Sequence, residues 1–294
     1  MKVVKTALTP IFLLFGSLAL SASDYPNATL LIETAELAEM LGQPEVHVLD
    51  ARPPEEYRQG HIPGAVNLPA PATDDVEANR QGFPLSPFLA LDLFLGAGIN
   101  SASRVIIYDS QGTRFAARVF YVLEFFGHQH VQILNGGFPK WQGEGRGVTA
   151  EASNAAPGDF EPQARGELIA TSDWVAQHLT DANVRVIDAR SPEEVSGQRG
   201  TGPRVGHIPG AVNIEWTRVL DAGGLQIILP RAELEKLFAA AEIKPEHEVV
   251  TYCQSGMRAS LVYFALRLMG FPRVRVYDSS WADWSSNVAL PIER

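Results

Sequence analysis

The chain has 294 residues, 46% of them hydrophobic and 20% charged. That balance excludes a chain too polar to fold and leaves room for two ordinary domains. The net charge of −10 excludes the basic face that nucleic acid attracts, so no nucleic-acid partner is expected. A single cysteine, Cys253, excludes an internal disulfide.

Met1 to Thr9 carry Lys2 and Lys5 and no acid, Ile11 to Leu20 are almost wholly apolar, and the small residues of SASDYPNA follow. This is the three-part pattern of a signal peptide over residues 1–23, with cleavage after Ala22 or Ser23. The expected location is outside the cytoplasm, in the periplasm. The apolar run is short for a membrane span, so no stable membrane insertion is expected after cleavage. A lone cysteine in an exported protein is spare, intermolecular or catalytic.

The rest of the chain repeats itself. LIETAEL at 31–37 resembles LIATSDW at 168–174, and both read as helix starts with Thr34 and Thr171 as N-caps. VHVLDAR at 46–52 matches VRVIDAR at 184–190, and HIPGAVN recurs at 61–67 and 207–213. The offset grows from 138 to 146 because the second copy has gained about eight residues within SGQRGTGPRVG. RVIIYDSQGTR at 104–114 then matches EVVTYCQSGMR at 248–258, at an offset of 144. A repeat this long is a duplicated domain rather than a solenoid unit. Short apolar runs at 46–50, 104–108, 131–134, 184–188, 248–252 and 274–277 read as strands of buried parallel sheets. Helices at 115–126 and 259–269 alternate with them, which makes the class α/β. Residues 143–166, rich in Gly, Ala, Pro and Glu, read as a linker between a domain at 24–142 and another at 167–294.

Cys253 falls where a strand ends and a helix begins, the place where α/β sheets hold ligands. Gln254, Ser255, Gly256 and Met257 form the turn, and Gly256 lets the backbone bend tightly. Successive N–H groups in such a turn make a concave site for negative charge. Arg258 adds a fixed cation, and both features favour the nucleophilic thiolate. The first copy keeps Gly112 and Arg114 but has Asp109 in place of the thiol. Asp50 and Asp188 are expected to pair with Arg52 and Arg190, and His61 and His207 to hold the HIPG turns. Trp281 and Trp284 are expected in the core.

Two copies of DAR…GHIPGAVN, LNGGFPKW at 134–141, a cysteine loop in the second copy and an acid in the first together resemble the tandem-domain sulfurtransferases. These are the rhodaneses and mercaptopyruvate sulfurtransferases. The resemblance implies two rhodanese-like domains, each a mainly parallel sheet flanked by helices, with only the second catalytic. It implies a persulfide on Cys253, no metal or organic cofactor, and a loop from Gln254 to Arg258 around the sulfur. The implied partners are a small anionic sulfur donor and a thiophilic acceptor: cyanide, a thiol or a thioredoxin-like protein. Arg199 and Arg204, in the added residues, resemble the pair that holds mercaptopyruvate, whereas Arg258 resembles thiosulfate-type loops with Arg five residues after the Cys. Ser255 agrees with the mercaptopyruvate branch and Gln254 departs from its Gly. Thiosulfate is the expected donor, with 3-mercaptopyruvate the alternative and a carrier or anion-binding protein without turnover the next. A phosphatase loop would place one more residue between Cys253 and Arg258.

Overall fold

The computed structural model describes residues 24–74, 85–153 and 155–294. The stretch read as a signal peptide lies outside them. Among the described residues no helix is long and apolar enough to cross a membrane.

The first half builds strands β1 (Leu31–Ile32), β2 (Val46–Asp50), β3 (Val66–Asn67), β4 (Arg104–Tyr108) and β5 (Val131–Leu134). They form one parallel sheet in the order β1-β5-β4-β2-β3. Its helices are α1 (Thr34–Met40), α2 (Pro54–Gln59), α3 (Pro87–Gly96), α4 (Arg114–Phe125) and α5 (Gly137–Gly143). The second half adds α6 (Ser172–Gln177), β6 (Val184–Asp188), α7 (Pro192–Val195), β7 (Val212–Asn213), α8 (Arg231–Ala240), β8 (Glu248–Tyr252), α9 (Met257–Leu268), β9 (Val274–Val276) and α10 (Ser280–Ser286). Its sheet runs β7-β6-β8-β9, again parallel. Ile169 bridges Val276, the position β1 takes in the first sheet. The strands are short runs of β-branched and aromatic residues buried on both faces, as parallel sheets covered by helices require.

The central strands and the HIPG turns share one frame. Asp50 takes the Arg52 guanidinium in a buried ion pair, and Asp188 takes Arg190 in the same way. Tyr108 donates to Asp50 and Tyr252 to Asp188, at 2.7 and 2.5 Å. Each tyrosine hydroxyl in turn accepts the N–H after the HIPG histidine, from Ile62 or Ile208. So a buried Asp, Arg and Tyr tie β2 to β4 and β6 to β8 and fix the turn beside them, each polar group having a partner. His61 packs its ring on Tyr57 at 3.7 Å, and its two nitrogens face the carbonyls of Tyr57 and Glu151.

α4 and α9 lie against each other across the domain seam. Phe120 meets Phe264 edge to face at 4.9 Å and Tyr121 meets Tyr263 at 5.1 Å. Tyr263 donates to Glu124 at 2.7 Å and Arg267 pairs with the same carboxylate at 2.6 Å. Each helix is therefore buried nearly all round, with its own sheet on one side and the other domain's helix on the other. Residues 143–153 and 155–166 run hydrogen-bonded along the first domain: Thr149 bridges His61, Gly158 donates to Leu95, and Gln163 and Arg165 donate to Phe126 and Phe125.

Two local expectations change. Thr34 is the first helical residue of α1, with Glu33 before it as an N-cap lacking a side-chain bond, because the Thr34 hydroxyl donates instead to Glu144 at 2.6 Å. Thr171 does cap α6, accepting the Trp174 N–H. β9 ends at Val276, one residue early, since Tyr277 begins the turn into α10. Trp281 and Trp284 are fully buried core residues.

Candidate active site

β8 delivers Cys253 to the carboxyl end of the second sheet, and α9 begins at Met257. The thiol is buried, 1% exposed. Gly256 stands at φ 84°. A Cβ there would collide with the Asp278 carboxylate, so the turn admits only glycine. Ser280 clamps the loop: its hydroxyl accepts the N–H of Cys253 and that of Gly256, both at 3.1 Å, and donates to the Tyr277 carbonyl at 2.8 Å. Ser280 holds φ 54°, a conformation that costs a residue with a side chain on the order of 1–3 kcal/mol and gathers at functional sites. From the first turns of α10, Trp281 and Ala282 donate backbone N–H groups to the carbonyls of Cys253 and Gln254.

Arg258 pairs with Glu194 of α7 through two bonds, 2.7 and 3.0 Å long. Burial alone would lower the pKa of Arg258, but the Glu194 hydrogen bonds and the Cys253 charge hold it up. Burial likewise works to raise Glu194, and Arg258 overrides it, holding the carboxyl down to about 2. Ser191 caps α7 in a full capping box with the same Glu194, which sets where its carboxylate stands.

The first copy explains what the loop is for. Asp109 takes the place of Cys253, and its carboxylate accepts four backbone N–H groups, from Gln111, Thr113, Phe115 and Ala116, at 2.7 to 3.0 Å. Burial pushes this carboxyl up, and the four donors pull against it. The loop is thus a ring of N–H groups around one anionic atom pair. In the second copy the matching donors are Ser255, Met257, Ala259 and Ser260. Ser260 turns back to the Gly256 carbonyl, and the other three have no protein acceptor among the described residues.

Rhodanese-like domain models match residues 33–144 and 171–287. The chain belongs to the rhodanese-like family. It is 33% identical over 278 residues to a thiosulfate sulfurtransferase of Pseudomonas aeruginosa, covering 92% of this chain and 99% of that one. It is also 33% identical to a probable 3-mercaptopyruvate sulfurtransferase of the same organism, covering 90% and 98%. Among solved structures, the 3-mercaptopyruvate sulfurtransferase SseA of Escherichia coli superposes with a TM-score of 0.78 at 27% identity, over 86% of this chain and 98% of that one.

The rhodanese-like domains bring together most of the residues singled out in the sequence. Gln254, Ser255, Gly256, Met257 and Arg258 all sit in the turn after Cys253. Ser255 is exposed, and Met257 packs half-buried against the core. Gln254 donates to the Thr201 carbonyl at 3.4 Å, which ties the residues added in the second copy to the cysteine loop. The arginines of that added segment go different ways. Arg199 is 68% exposed, donates to Ser191, and lies 3.8 Å from Glu194. Arg204 spends its guanidinium on the carbonyls of Trp284, Ser285, Asn287 and Leu290 at the end of α10. It therefore stands as a cap on that helix, where the unpaired carbonyls and the negative helix end attract it.

Glu194, Asp278 and Ser280 escape a reading of the sequence. Glu194 carried a signal, since SPEE at 191–194 repeats PPEE at 53–56. Ser280 carried another: DSSWADW at 278–284 aligns with NGGFPKW at 135–141, so a serine replaces Gly137. A cavity lined by Phe238, Ile243, Met269 and Phe271 opens beside Arg185 and His247, at the amino ends of β6 and β8, the end of the sheet away from Cys253.

Proposed function

We propose that this protein is a sulfurtransferase that moves a sulfane sulfur from thiosulfate to cyanide or another thiophile through a persulfide on Cys253. The observation that carries this reading is the paired loop: where Asp109 fills the N–H ring of the first copy, Cys253 stands at the ring of the second. The ring stabilises negative charge on the outer sulfur as it arrives and while it waits. In the first step the Cys253 thiolate attacks the outer sulfur of thiosulfate. A new S–S bond forms, the old one breaks, and sulfite leaves with its electron pair. In the second step cyanide attacks the terminal sulfur, thiocyanate leaves, and the thiolate returns. This is covalent catalysis in two exchanges, and it calls on no metal or organic cofactor.

Thiosulfate is preferred over 3-mercaptopyruvate because the second arginine of a carboxylate clamp, Arg204, is committed to α10. The alternative donor, with a thiol or thioredoxin-like acceptor, is supported by the Gln254–Thr201 link that keeps the added segment against the loop. Export to the periplasm remains part of the proposal, on the amino-terminal sequence alone. The test is an intact mass of the purified protein after each donor. A gain of about 32 Da, one sulfur atom, with thiosulfate supports the reading, and a gain with mercaptopyruvate alone moves it to the alternative. No gain with either, from a protein with a free thiol, leaves a carrier or anion-binding protein. Arg199→Ala separates the donors further: the KM for thiosulfate should stay within about threefold, as expected for an exposed cation.

A further inference from the structure

Arg118 lies in α4 of the first domain and is fully buried. Its guanidinium reaches across the seam to both carboxylate oxygens of Asp278, which is also fully buried. It donates as well to Asp74 at 2.8 Å and to the Thr73 hydroxyl at 3.2 Å. The same Asp278 carboxylate presses on Gly256, its Oδ1 close enough to exclude a Cβ. Two residues further on, Ser280 holds the N–H groups of Cys253 and Gly256. The backbone of the cysteine loop is thus set by residues 278–280, and residue 278 is set by the other domain.

The pair is no by-product of the duplication. The first copy has Asn135 at the place of Asp278, and the second has Val262 at the place of Arg118. Asn135 also crosses the seam, accepting the Ile228 N–H at 3.1 Å, but it does so without charge. A buried ion pair is a poor source of stability, because desolvation offsets most of its attraction. Here it appears only toward the copy that carries the thiol.

We infer that Arg118 is a positioning residue for the cysteine loop, holding Gly256 through Asp278 and cancelling the carboxylate that would otherwise oppose negative charge at Cys253. This rests on the persulfide reading above. From the second domain Arg258 and Glu194 face the cysteine loop, with Arg199 and Arg190 beside Glu194. Asp278 faces it from the turn before α10, with Arg118, Asp74 and Tyr121 behind. Removing Arg118 exposes the loop to the Asp278 charge, so the thiolate forms at higher pH. Removing the Asp278 charge does the reverse, and removing both restores the balance.

The test is the pH dependence of the rate of persulfide formation, followed by quenched intact mass, in Arg118→Met, Asp278→Asn and the double variant. Arg118→Met should move the alkaline-rising limb up by about one pH unit, which is about tenfold in rate below the limb. Asp278→Asn should move it down, and the double variant should return it toward the wild type. Limbs that coincide with the wild type in both single variants, or losses by the same factor at every pH, overturn the inference. If Arg118→Met does not fold, the direction of the Asp278→Asn shift decides. A wild type that forms no persulfide would sink the functional reading instead, and the two failures are distinguishable.

Discussion

The loops at 109–114 and 253–258 have the same backbone plan and opposite fates. In the first, Asp109 brings its own carboxylate to the N–H ring, and Trp216, Leu220 and Gln226 of the second domain lie against Gly112. Arg114 is held over the Trp216 ring, 5.6 Å from its centroid. In the second, a thiol replaces the carboxylate, Ser280 replaces Gly137, and Arg258 is steered by Glu194. The fold supplies an anion cradle, and the side chain placed in it decides between structure and chemistry. A residue that brings its own charge satisfies the ring permanently. A thiol leaves the N–H groups of the ring free, and the proposed function puts the charge of an arriving sulfur there.

The largest break of this comparison is Cys253→Ser. It should abolish the sulfur mass gain and lower turnover by about a thousandfold or more, because the hydroxyl is not ionised and carries no sulfur. Mass spectrometry and a thiocyanate assay check it.

Next comes the exchange at the two matched turns. Gly137 and Ser280 share the same backbone, φ 53° and 54°. Ser280→Gly relieves strain but strands two buried N–H groups, each costing about 1–3 kcal/mol. Chemical denaturation should show a net loss, and persulfide formation should slow by at least about tenfold as the loop loosens. Gly137→Ser should be worse for stability and neutral for the site, since its Cβ would collide with the Asp109 carbonyl. A loss of about 3 kcal/mol or more is expected there.

Asp109→Asn sharpens the claim that the first ring is an anion site. The amide keeps the shape and turns an NH2 toward two N–H donors, so stability should fall by about 1–3 kcal/mol. Thermal denaturation measures it, and persulfide formation by the folded fraction should be unchanged. An amide tolerated without loss would mean that the ring does not select for charge.

The smallest effect is on acid stability. Glu194 is held at about 2, below its ordinary 4.5, chiefly by Arg258 against the pull of burial. A depressed carboxyl contributes stability that is complete above pH 4.5 and is lost as the pH falls toward about 2. Glu194→Gln should flatten that part of the denaturation midpoint against pH and leave the neutral-to-alkaline range parallel to the wild type.

The sequence reading reached the six main strands to within a residue, because each is a short apolar run between turn residues and recurs in the second copy. It reached the thiol at the strand-to-helix turn for the same reason. It missed how far α4 and α9 are buried, since periodicity along one helix carries no trace of the second helix that covers its other face. Arg199 and Arg204 stand together in the added segment and resemble a mercaptopyruvate-holding pair. The fold parts them, one into solvent and one onto the carbonyls that end α10.

The duplication, the α/β class, the Asp–Arg frames and the Cys253 loop with its glycine are all written in the order of residues. Each of these rests on residues close in the chain or repeated at a constant offset. It takes the folded chain to show that Ser280 clamps the loop, that Glu194 steers Arg258, and that Arg118 answers Asp278 from 160 residues away. Burial and charge pairing are settled by what packs across the seam. No local pattern of residue types encodes which buried carboxylate will meet which guanidinium.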